Sequence, residues 1–562
     1  MVKFIVKPED KNLQKELSEK CGITPITAQI LINRGLSNPE DILKFLDTSF
    51  NSLTHPFKML NLEKASERIV KAIKLNEKIG IFGDYDVDGI TSTALLINFF
   101  NEIGYKNYIW HLPTRKEGYG LNCEVIKEFH KNHVKLIITV DCGIQNIKEV
   151  DFANSLSIDV IITDHHVPGE NLPNAYAIVN PKQKDCKFPF KDLAGVGVAF
   201  YLLMGVRIKL RQYLNFSNFN LAKYLDLVAI GTIADISPLL YENRVLVKKG
   251  LKQIENSNNL GIKALSQLCH INNKSISYWD VGFKIAPRLN AAGRISSPEK
   301  ALNLLITKEY SKALQISEWL CKNNYERQKI EEKIFDEAIR MIENNGKLKN
   351  KHSIVLYSNN WHEGVIGIVS AKLVEKYYKP VILITFNENG IGKGSARSIK
   401  ELDIFKSISF CEEYLETFGG HKLAAGLTIK KENVNNFIEA FDNIVKRFTT
   451  KENFVKKIFI DKILDFNEIN MRLVKELKEL SPYGPGNEEP LFLTEDILVT
   501  EIKSMGLNNL NLTLEKNKVE FEAVGFNLLD KNIELGDTVR LIYTPFIAND
   551  RIKLRIKEIE KV

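Results

Sequence analysis

The chain has 562 residues, of which 44% are hydrophobic and 26% are charged, and its formal net charge is +7 at pH 7. This composition argues against an intrinsically disordered or collagen-like chain, and at roughly 100–200 residues per domain the length predicts several domains. The mildly basic balance is compatible with a polyanionic partner and equally with solubility alone.

The cysteine pattern and the first residues predict a reduced, cytoplasmic protein. The 7 cysteines are scattered along the chain and no two have CxxC spacing, which argues against zinc ribbons and thioredoxin-like chemistry. The opening MVKFIVKPEDKNLQ has no secretory apolar core, and no apolar run approaches the ~18–20 residues of a membrane helix. We therefore expect unpaired thiols, a cytoplasmic location and no membrane segment.

The first half of the chain predicts a small helical segment and then a parallel sheet. Residues 1–50 carry a helical apolar pattern in GITPITAQILINRG. From about residue 78, short apolar runs alternate with stretches of helical length, beginning with KIGIFGD and ITSTALLINFFNEIG. This alternation is typical of βαβ units, so residues 51–245 are predicted to form an α/β domain whose parallel sheet is buried on both faces.

Polar residues follow four of these predicted strands, in KIGIFGDYD, YIWHLPTR, KLIITVD and DVIITDHH. Besides the aspartates of DYD, the residues at the strand ends are His111, Arg115, Asp141, Asp164, His165 and His166. Ligands of open α/β sheets bind beyond the carboxyl ends of the strands, so the pattern predicts one site there. No GxGxxG follows the first strand, and this argues against a dinucleotide-binding domain.

The second half of the chain predicts a helical connector, a second α/β domain and a small barrel. Residues 246–346 are assigned to the connector, because 300–345 reads as helix without Gly or Pro. Residues 347–452 repeat the α/β pattern, and 453–562 contain about five strand-like runs, which suit an OB-type barrel. The predicted fold class is therefore α/β and multidomain, with two α/β domains joined by a long helix and a C-terminal OB-type β-barrel.

The aspartates are candidate metal ligands. In DYDVD, Asp84, Asp86 and Asp88 alternate, which predicts that they share one side of an extended backbone. The further candidates are Asp141, His165 and Asp235. Several carboxylates with one imidazole and no thiol favour Mg²⁺ or Mn²⁺, and two ions that share a carboxylate are suited to in-line displacement at phosphorus. A single aspartate at a strand end is more often a helix cap, but caps explain DYDVDG and TDHH together poorly.

An ordered series of motifs resembles a known family. DYDVDG, VDCG, TDHH and GTIADISPL resemble the four motifs of the DHH phosphoesterase superfamily. Further strings, among them LAGVGVAF, PRLNAAGR, SARS, GGHKLAAG and PYGPGNEEP, resemble the RecJ family of bacterial single-strand-specific exonucleases. The resemblance extends from about residue 50 to the C-terminus. It implies hydrolysis of single-stranded DNA from its 5′ end into mononucleotides, with two Mn²⁺ or Mg²⁺ ions, in DNA recombination and repair.

The resemblance also implies roles for the metal-site residues. Asp86 and Asp141 would hold one ion, with Asp84 in or near its shell, and His166 would face the scissile phosphate. The second ion would be held by Asp141 together with Asp88, His165 and Asp235. In the related family II pyrophosphatases a histidine lies four residues before the second aspartate. Here that position is Phe82, which leaves Asp84 as the candidate replacement.

A second group of residues is predicted to hold the DNA strand. Its members are Arg115, Tyr119, Arg288, Arg294, Ser395, Arg397, Gly420 and His421. Guanidinium and hydroxyl groups suit phosphate oxygens, glycines permit close backbone approach, and Tyr119 is a candidate for base stacking. Taken singly, each arginine suits a surface ion pair and GGHKLAAG suits a hairpin turn. The resemblance implies that the second α/β domain anchors the 5′ end across a cleft that admits one strand.

Two other functions remain open. One is a DHH phosphoesterase acting on oligoribonucleotides or cyclic dinucleotides, which the predicted barrel disfavours because a dinucleotide needs no extended groove. The other is a non-catalytic replication scaffold of the Cdc45 type, which the filled ligand positions disfavour. The resemblance implies single-stranded DNA, a RecQ-type helicase and a single-strand-binding protein as partners of a monomer.

Overall fold

The computed structural model describes residues 2–115, 117–214, 219–271, 275–505, 509–526, 528 and 531–562. The chain divides into two compact units. The larger unit contains residues 5–293, 298–318 and 459–562, and the smaller unit contains residues 1–4, 294–297 and 319–458. Among the described residues, no helix combines the length and the apolar character that a bilayer crossing requires.

The chain opens with a short strand and three capped helices. These are β1 (Val2–Val6), α1 (Lys11–Cys21), α2 (Pro25–Ile32) and α3 (Pro39–Leu46). Asp10, Thr24 and Asn38 each accept a hydrogen bond from a backbone N–H in the first turn of the helix that they cap. Proline occupies the start of α2 and α3, where its fixed φ suits a helix and its missing N–H costs nothing.

The first sheet is parallel, as predicted. Its region contains α4 (Leu62–Lys74), β2 (Lys78–Gly83), α5 (Val87–Glu102), β3 (Tyr108–His111), α6 (Cys123–Lys131), β4 (Val134–Val140), α7 (Ile147–Ser155), β5 (Asp159–Thr163), β6 (Ala177–Val179), α8 (Gly195–Leu214) and α9 (Leu225–Ala234). The 5 strands lie in the order β3-β2-β4-β5-β6, and every pair is parallel. Strands β2, β4 and β5 are almost wholly buried, which explains their continuous apolar sequences.

A run of helices follows the first sheet. They are α10 (Tyr241–Glu255), α11 (Leu260–Leu268), α12 (Tyr278–Asp280), α13 (Ala286–Ile295), α14 (Glu299–Ile306), α15 (Tyr310–Glu343) and α16 (Gly346–Asn350). Helix α10 runs through the boundary predicted between residues 245 and 246, and Val245, Leu246 and Val247 are all buried along it. A domain boundary does not fall inside this helix. The predicted long helix is α15, with 34 residues.

The second sheet lies in the smaller unit. Its region contains β7 (Ile354–Ser358), α17 (Glu363–Tyr377), β8 (Val381–Phe386), β9 (Ile391–Arg397), α18 (Ile404–Ser409), β10 (Leu415–His421), β11 (Ala424–Lys430) and α19 (Val434–Phe448). The 5 strands lie in the order β10-β11-β9-β8-β7, and only β7 and β8 pair in parallel. Apolar side chains of α19 pack in one core with the sheet, and those of α15 and α17 pack in another.

The C-terminal region forms the predicted barrel. It contains β12 (Lys456–Ile460), β13 (Lys462–Ile463), α20 (Met471–Leu480), β14 (Phe492–Met505), β15 (Asn509–Lys516), β16 (Val519–Phe526), β17 (Thr538–Ala548) and β18 (Arg551–Lys561). Strands β14, β15, β16, β18 and β17 follow one another in the sheet, and pairing of β14 with β17 closes the ring. Strand β12 pairs with β1.

The barrel and the N-terminal helices share one hydrophobic core. Leu17, Ile30 and Phe45 of the helices belong to the same buried cluster as Leu473 of α20 and Leu541 of β17. Polar contacts reinforce this packing, because Glu476 of α20 accepts hydrogen bonds from the hydroxyl groups of Thr24 and Thr27. Residues 1–50 and 453–562, predicted as separate domains, therefore contribute described residues to one common core.

Arg244 of α10 is fully buried and forms hydrogen bonds both with α3 and with the end of α20. Its guanidinium donates to the carbonyl oxygens of Glu479, Leu480 and Ser481 at 2.7–2.9 Å and to that of Phe45 at 3.2 Å. It thereby caps the C-terminus of α20, where helical carbonyls lack partners. Burial lowers the pKa of Arg244 to about 10, so the side chain remains a cation at neutral pH.

Candidate metal centre

The predicted metal ligands meet at the carboxyl edge of the first sheet. Asp84 and Asp86 follow β2, Asp141 follows β4, and His165 and His166 follow β5. Asp235 comes directly after α9. All of these residues lie in the larger unit. The neighbouring parallel strands β2, β4 and β5 thus deliver their end residues to one place, as the sequence pattern predicts.

The backbone of DYDVDG is not extended, contrary to the prediction from its alternating aspartates. Strand β2 ends at Gly83, and Asp86 is already the N-cap of α5, accepting from the backbone N–H groups of Asp88 at 2.9 Å and Gly89 at 3.1 Å. The free N–H groups of a helix start favour this cap over an extended strand. A Cβ on Gly89 would lie 2.5 Å from the backbone of Asp84, so the turn requires glycine there.

Because of this turn, the aspartates divide between two clusters. Asp84, Asp86 and Asp141 form one group, and Asp88, His165 and Asp235 form another, with the ligand atoms of each group within 4.8 Å of one another. Asp141 adjoins both groups, since its Oδ1 lies 3.1 Å from Nε2 of His165. The arrangement is that of two neighbouring cation sites that share one carboxylate.

The N-terminus of α8 orients Asp88. The backbone N–H groups of Gly195 and Val196 donate to its two carboxylate oxygens at 2.7 and 2.8 Å. A Cβ on Gly195 would lie 2.5 Å from Oδ1 of Asp141, so only glycine allows this approach. The motif LAGVGVAF therefore supports the metal centre, a role that reasoning from the sequence missed because it depends on a contact more than 100 residues away.

The backbone at Asp141 is held in an unusual conformation. Its φ is +63°, in the left-handed region that non-glycine residues seldom adopt, and its N–H donates to the carbonyl of Thr163 at 3.0 Å. Asp235 is fixed differently, because the hydroxyl of Ser237 donates to its Oδ2. Conformations of this kind concentrate at functional sites, where the surrounding structure imposes them.

The electrostatics of the cluster favour a bound cation. Burial, reinforced by the charge of Asp86, raises the pKa of Asp84 to about 8. Burial and neighbouring carboxylates also raise the pKa of Asp88, Asp141 and Asp235 above the usual range. Oδ1 of Asp84, Oδ1 of Asp141 and Nε2 of His165 are buried without hydrogen-bond partners among the described residues. Divalent cations bound by these oxygen and nitrogen atoms would satisfy both the charge and the missing contacts.

His166 is oriented by Asp164, a residue that was noted at its strand end but not predicted to act in the site. Asp164 is fully buried and accepts from Nδ1 of His166 at 2.7 Å and from the backbone N–H groups of Ile144, His165 and His166. Burial alone would lower the pKa of His166, but the hydrogen bond and charge of Asp164 raise it. The hydroxyl of Tyr119 lies 3.0 Å from the same Nδ1 and donates to the carbonyl of Asp141.

Phe82 and Arg115 border the centre. Phe82 is buried and stacks on His111, with ring centroids 5.7 Å apart, and its hydrocarbon ring has no atom that could bind a cation. The guanidinium of Arg115 lies 4.5 Å from the ring centroid of Tyr85, and its Nε donates to the carbonyl of Gly293. Arg288 of α13 also belongs to this unit, and its Nη1 donates to the carbonyl of Lys284.

Three of the other strand-holding candidates share one face of the second sheet. The strand register aligns Arg397 of β9 with Ala424 of β11 and His421 of β10, while Ser395 lies two residues before Arg397 on the same strand. Oγ of Ser395 and the guanidinium of Arg397 approach Gly367 of α17, where a Cβ would lie 2.8 and 3.2 Å from them. Burial lowers the pKa of Arg397.

GGHKLAAG is a hairpin turn, the alternative that composition alone favoured. Strands β10 and β11 are joined by residues 422–423. Gly420 has a φ of +146°, and a Cβ there would lie 2.5 Å from the carbonyl oxygen of Ala424, so glycine is required. Arg294, also in the smaller unit, donates to the carbonyl of Gly364 near the start of α17. Arg294, Ser395 and Arg397 therefore surround the same end of α17.

Three family models match three separate parts of the chain. The DHH family N-terminal domain matches residues 78–232, the DHHA1 domain matches residues 350–447 and the RecJ OB domain matches residues 460–558. The first match spans the parallel sheet and the metal ligands up to His166. The second spans the second sheet, and the third spans the barrel.

Relatives and solved structures cover nearly the whole chain. The chain is 38% identical to the single-stranded-DNA-specific exonuclease RecJ of Bacillus subtilis, across 96% of this chain and 68% of that protein. The crystal structure of RecJ from Thermus thermophilus with Mn²⁺ is similar with a TM-score of 0.84 at 28% identity, covering 100% of this chain and 80% of that one. The Mg²⁺ complex from the same organism gives 0.77 at 26% identity, with coverages of 100% and 79%. The chain belongs to the RecJ family of single-stranded-DNA-specific exonucleases.

Proposed function

We propose that this protein is a single-stranded-DNA-specific exonuclease that hydrolyses phosphodiester bonds from the 5′ end, in DNA recombination and repair. The observation that carries the proposal is the pair of ligand clusters that share Asp141 at the edge of the parallel sheet. Two adjacent cation sites are suited to displacement at phosphorus. The RecJ OB domain in the same chain supports a long single strand as the substrate, rather than a dinucleotide.

The proposed cofactors are two divalent cations, Mn²⁺ or Mg²⁺, as named for the related structures. Asp84, Asp86 and Asp141 would hold one ion. The other would be held by Asp88, Asp141, His165 and Asp235. When bound, such ions activate water and stabilise negative charge on a phosphate and its leaving oxygen. Oδ1 of Asp84, Oδ1 of Asp141 and Nε2 of His165, which have no hydrogen-bond partner in the part of the chain that the structure describes, fit this role.

His166 and Asp164 would act together on the scissile phosphate. Asp164 engages Nδ1 of His166, which leaves Nε2 as the nitrogen available to a substrate oxygen. The raised pKa of His166 favours its cationic form, and a cationic donor binds a phosphate oxygen more strongly than a neutral one. Asp164 is a positioning residue in this proposal, because it acts through the imidazole.

Recognition of the 5′ end is proposed for Arg294, Ser395, Arg397 and the hairpin around Gly420 and His421. A terminal phosphate carries more charge than an internal one, so a buried guanidinium with an adjacent hydroxyl discriminates between them. Support comes from the shared row of Arg397 and His421 across β9, β11 and β10. We also propose two partner proteins for a monomeric enzyme. A RecQ-type helicase would expose the single strand, and a single-strand-binding protein would deliver it.

The test is degradation of matched oligonucleotides with Mn²⁺, with Mg²⁺ and with EDTA. We expect mononucleotides from single strands labelled at the 5′ end, little product from blunt duplexes, and none with EDTA. Preferential cleavage of dinucleotides would favour a small-substrate phosphoesterase instead. Strand binding without cleavage under any metal would favour a non-catalytic scaffold.

A further inference from the structure

Two solvent-exposed aromatic side chains of the larger unit, Trp279 and Phe283, stack on each other. The rings of Trp279 and Phe283 are nearly parallel, at 21°, with centroids 4.7 Å apart. Trp279 is 57% exposed and Phe283 is 63% exposed. Large exposed apolar side chains are common singly, but a preformed stack of two is a specific surface feature. The metal centre uses neither residue.

The local backbone holds this stack in place. Residues Val281–Ile285 form a π-helical turn, in which the N–H of Ala286 donates to the carbonyl of Val281. Pro287 follows and has no N–H to continue regular helical bonding, which accounts for the wider turn. Trp279 precedes the turn and Phe283 lies within it.

The turn that carries the stack packs against α9, the helix that ends next to the metal centre. Gly282 sits against Ile233, with the position of a Cβ 3.5 Å from Cγ2 of that residue. Ile233 belongs to the last turn of α9, two residues before the metal-ligand candidate Asp235. Tyr278 also contacts Gly484 of the PYGPGNEEP segment, and Gly484 in turn approaches Leu239, just beyond Asp235.

A groove extends from Trp279 toward the barrel. It has a volume of about 530 Å³, and helices α10, α12 and α20 line it together with strands β17 and β18. Tyr278, Trp279, Tyr483 and Phe546 supply aromatic rings to its walls. Its cations are Lys248, Lys252, Lys478 and Arg555, and its carboxylates are Glu255 and Glu489. Arg555 pairs with Glu489 at 3.2 Å and Lys248 pairs with Glu479 at 3.1 Å, so the proposal relies on Lys252 and Lys478. Aromatic rings interspersed with an excess of cations are complementary to a single-stranded nucleic acid.

We propose that the Trp279–Phe283 stack is a base-stacking platform and that the groove beside it carries single-stranded DNA between the metal centre and the barrel. The inference rests on the proposed exonuclease function and adds a binding path to it. Bases of any identity have a π-face, so the contact would be independent of sequence, as an enzyme that degrades strands of any sequence requires. The lysines would pair with phosphates along the same path.

The first experiment measures binding of a fluorescent single strand to the full-length protein in EDTA. A Trp279→Ala/Phe283→Ala variant is compared with Phe410→Ala/Phe448→Ala. The latter residues form a matched exposed pair in the smaller unit, 58% and 49% exposed with centroids 5.5 Å apart. We expect binding to weaken by roughly 5-fold or more in the first variant only, the lower end of what one stacked base contributes. Equal affinities for the first variant and the wild type would overturn the proposal.

A second experiment removes the base instead of the ring. A single abasic site is moved through the oligonucleotide one nucleotide at a time, and affinity is measured at each position. The wild type should show a window of weakened binding at a fixed distance from the 5′ end, and the Trp279→Ala/Phe283→Ala variant should lack that window. An identical profile for both proteins would show that the two rings do not contact the DNA. The exposed stack would then be a binding surface for something else, such as a partner protein.

The salt dependence of binding tests the groove. Lys478→Ala is paired with Lys475→Ala, an exposed lysine of the same helix that does not line the groove. The slope of log affinity against log salt should fall by about 0.7 for Lys478→Ala and stay unchanged for Lys475→Ala. If the wild type shows the abasic window but cuts no DNA with Mn²⁺, the proposed function fails and the platform stands. If it cuts DNA but shows no window, the platform alone fails.

Discussion

In the proposed arrangement, Asp141 is the residue that both cation sites would share. Replacing it with Asn should lower turnover of single-stranded DNA by roughly 100-fold or more, because losing a ligand costs more than losing a partner of one. Asn is preferable to Ala here, since it tolerates the left-handed backbone at this position. Initial rates with Mn²⁺ measure the effect, and binding in EDTA should remain within about twofold of wild type because phosphate contacts elsewhere are kept. Near-normal turnover would contradict the shared-carboxylate arrangement.

In the proposed function, Asp164 acts through the imidazole of His166 and not on the substrate itself. Asp164→Asn keeps the size of the side chain but weakens its hold on the imidazole of His166. We expect kcat to fall by roughly 10- to 100-fold with little change in KM, as for other partners that orient functional side chains. An unchanged kcat would mean that His166 does not act on the phosphate.

Arg397 offers a test of end recognition. Arg397→Ala should slow digestion of 5′-phosphorylated strands much more than that of 5′-hydroxyl strands, so the ratio of the two rates falls toward one. Matched oligonucleotides at fixed salt provide the measurement. Lys430→Ala is the control, because it removes a cation that pairs with Glu416 at 3.3 Å and lies at the opposite end of β11 from Ala424, the partner of Arg397. A ratio that Arg397→Ala leaves unchanged would remove this residue from the end-recognition site.

At the scale of elements, the start of α8 is the support that the two cation sites share. Gly195→Ala would press a methyl group against Oδ1 of Asp141, whereas a Cβ on Gly197 would lie 3.2 Å from the side chain of Leu193 and 3.8 Å from that of Asn243. We expect Gly195→Ala to lose roughly 10- to 100-fold in activity and to need more Mn²⁺ for half-maximal rate, and Gly197→Ala to remain close to wild type. Equal behaviour of the two variants in a Mn²⁺ titration would show that the close approach is not required.

The same elements show what a sequence reveals and what it does not. The parallel sheet and the gathering of Asp86, Asp141 and His165 at its edge were predictable, because apolar runs and strand-end residues are local signals. The division of DYDVDG between two clusters was not, because the cap at Asp86 turns the chain into α5. The hydrogen bond from Gly195 to Asp88 and the hydrogen bond between Asp164 and His166 were also not predicted. The sequence does not show which residue a glycine N–H or a buried carboxylate will contact.

Arg244 connects α10 to the C-terminal end of α20 and to α3. Arg244→Met would remove the donor of the Ser481 carbonyl at the end of α20. It would also remove one of two donors from the carbonyls of Glu479 and Leu480, which accept from Lys248 and Asn487 as well. Because a buried unsatisfied group costs about 1–3 kcal/mol, we expect the free energy of unfolding to fall by about that amount. Lys248→Ala removes an exposed contact to the same helix end and should cost less than about 1 kcal/mol. Urea denaturation of the larger unit would compare them, and similar losses would contradict a special role for the buried cation.

For the molecule as a whole, the shared core predicts that the N-terminal helices and the barrel unfold together. Leu541→Ala in β17 should cost about 2–5 kcal/mol and lower the hydrogen-exchange protection of α2 by a comparable amount. Ile384→Ala removes a similar volume from a core of the smaller unit and should leave α2 unaffected. If protection in α2 is insensitive to Leu541→Ala, the two parts are energetically separate despite their contact.

The shared core also has a consequence for synthesis on the ribosome. Helix α2 buries five successive residues, Thr27 to Leu31, yet α20 and the barrel strands that share its core begin about 440 residues further along the chain. At a translation rate of about 5–20 residues per second, that interval lasts roughly 20 to 90 seconds, during which this apolar helix can pack only against elements that are already made, such as α1. The face of α2 that the barrel later covers would stay exposed during this time, which makes it a binding site for a chaperone or for a transient partner within the nascent chain.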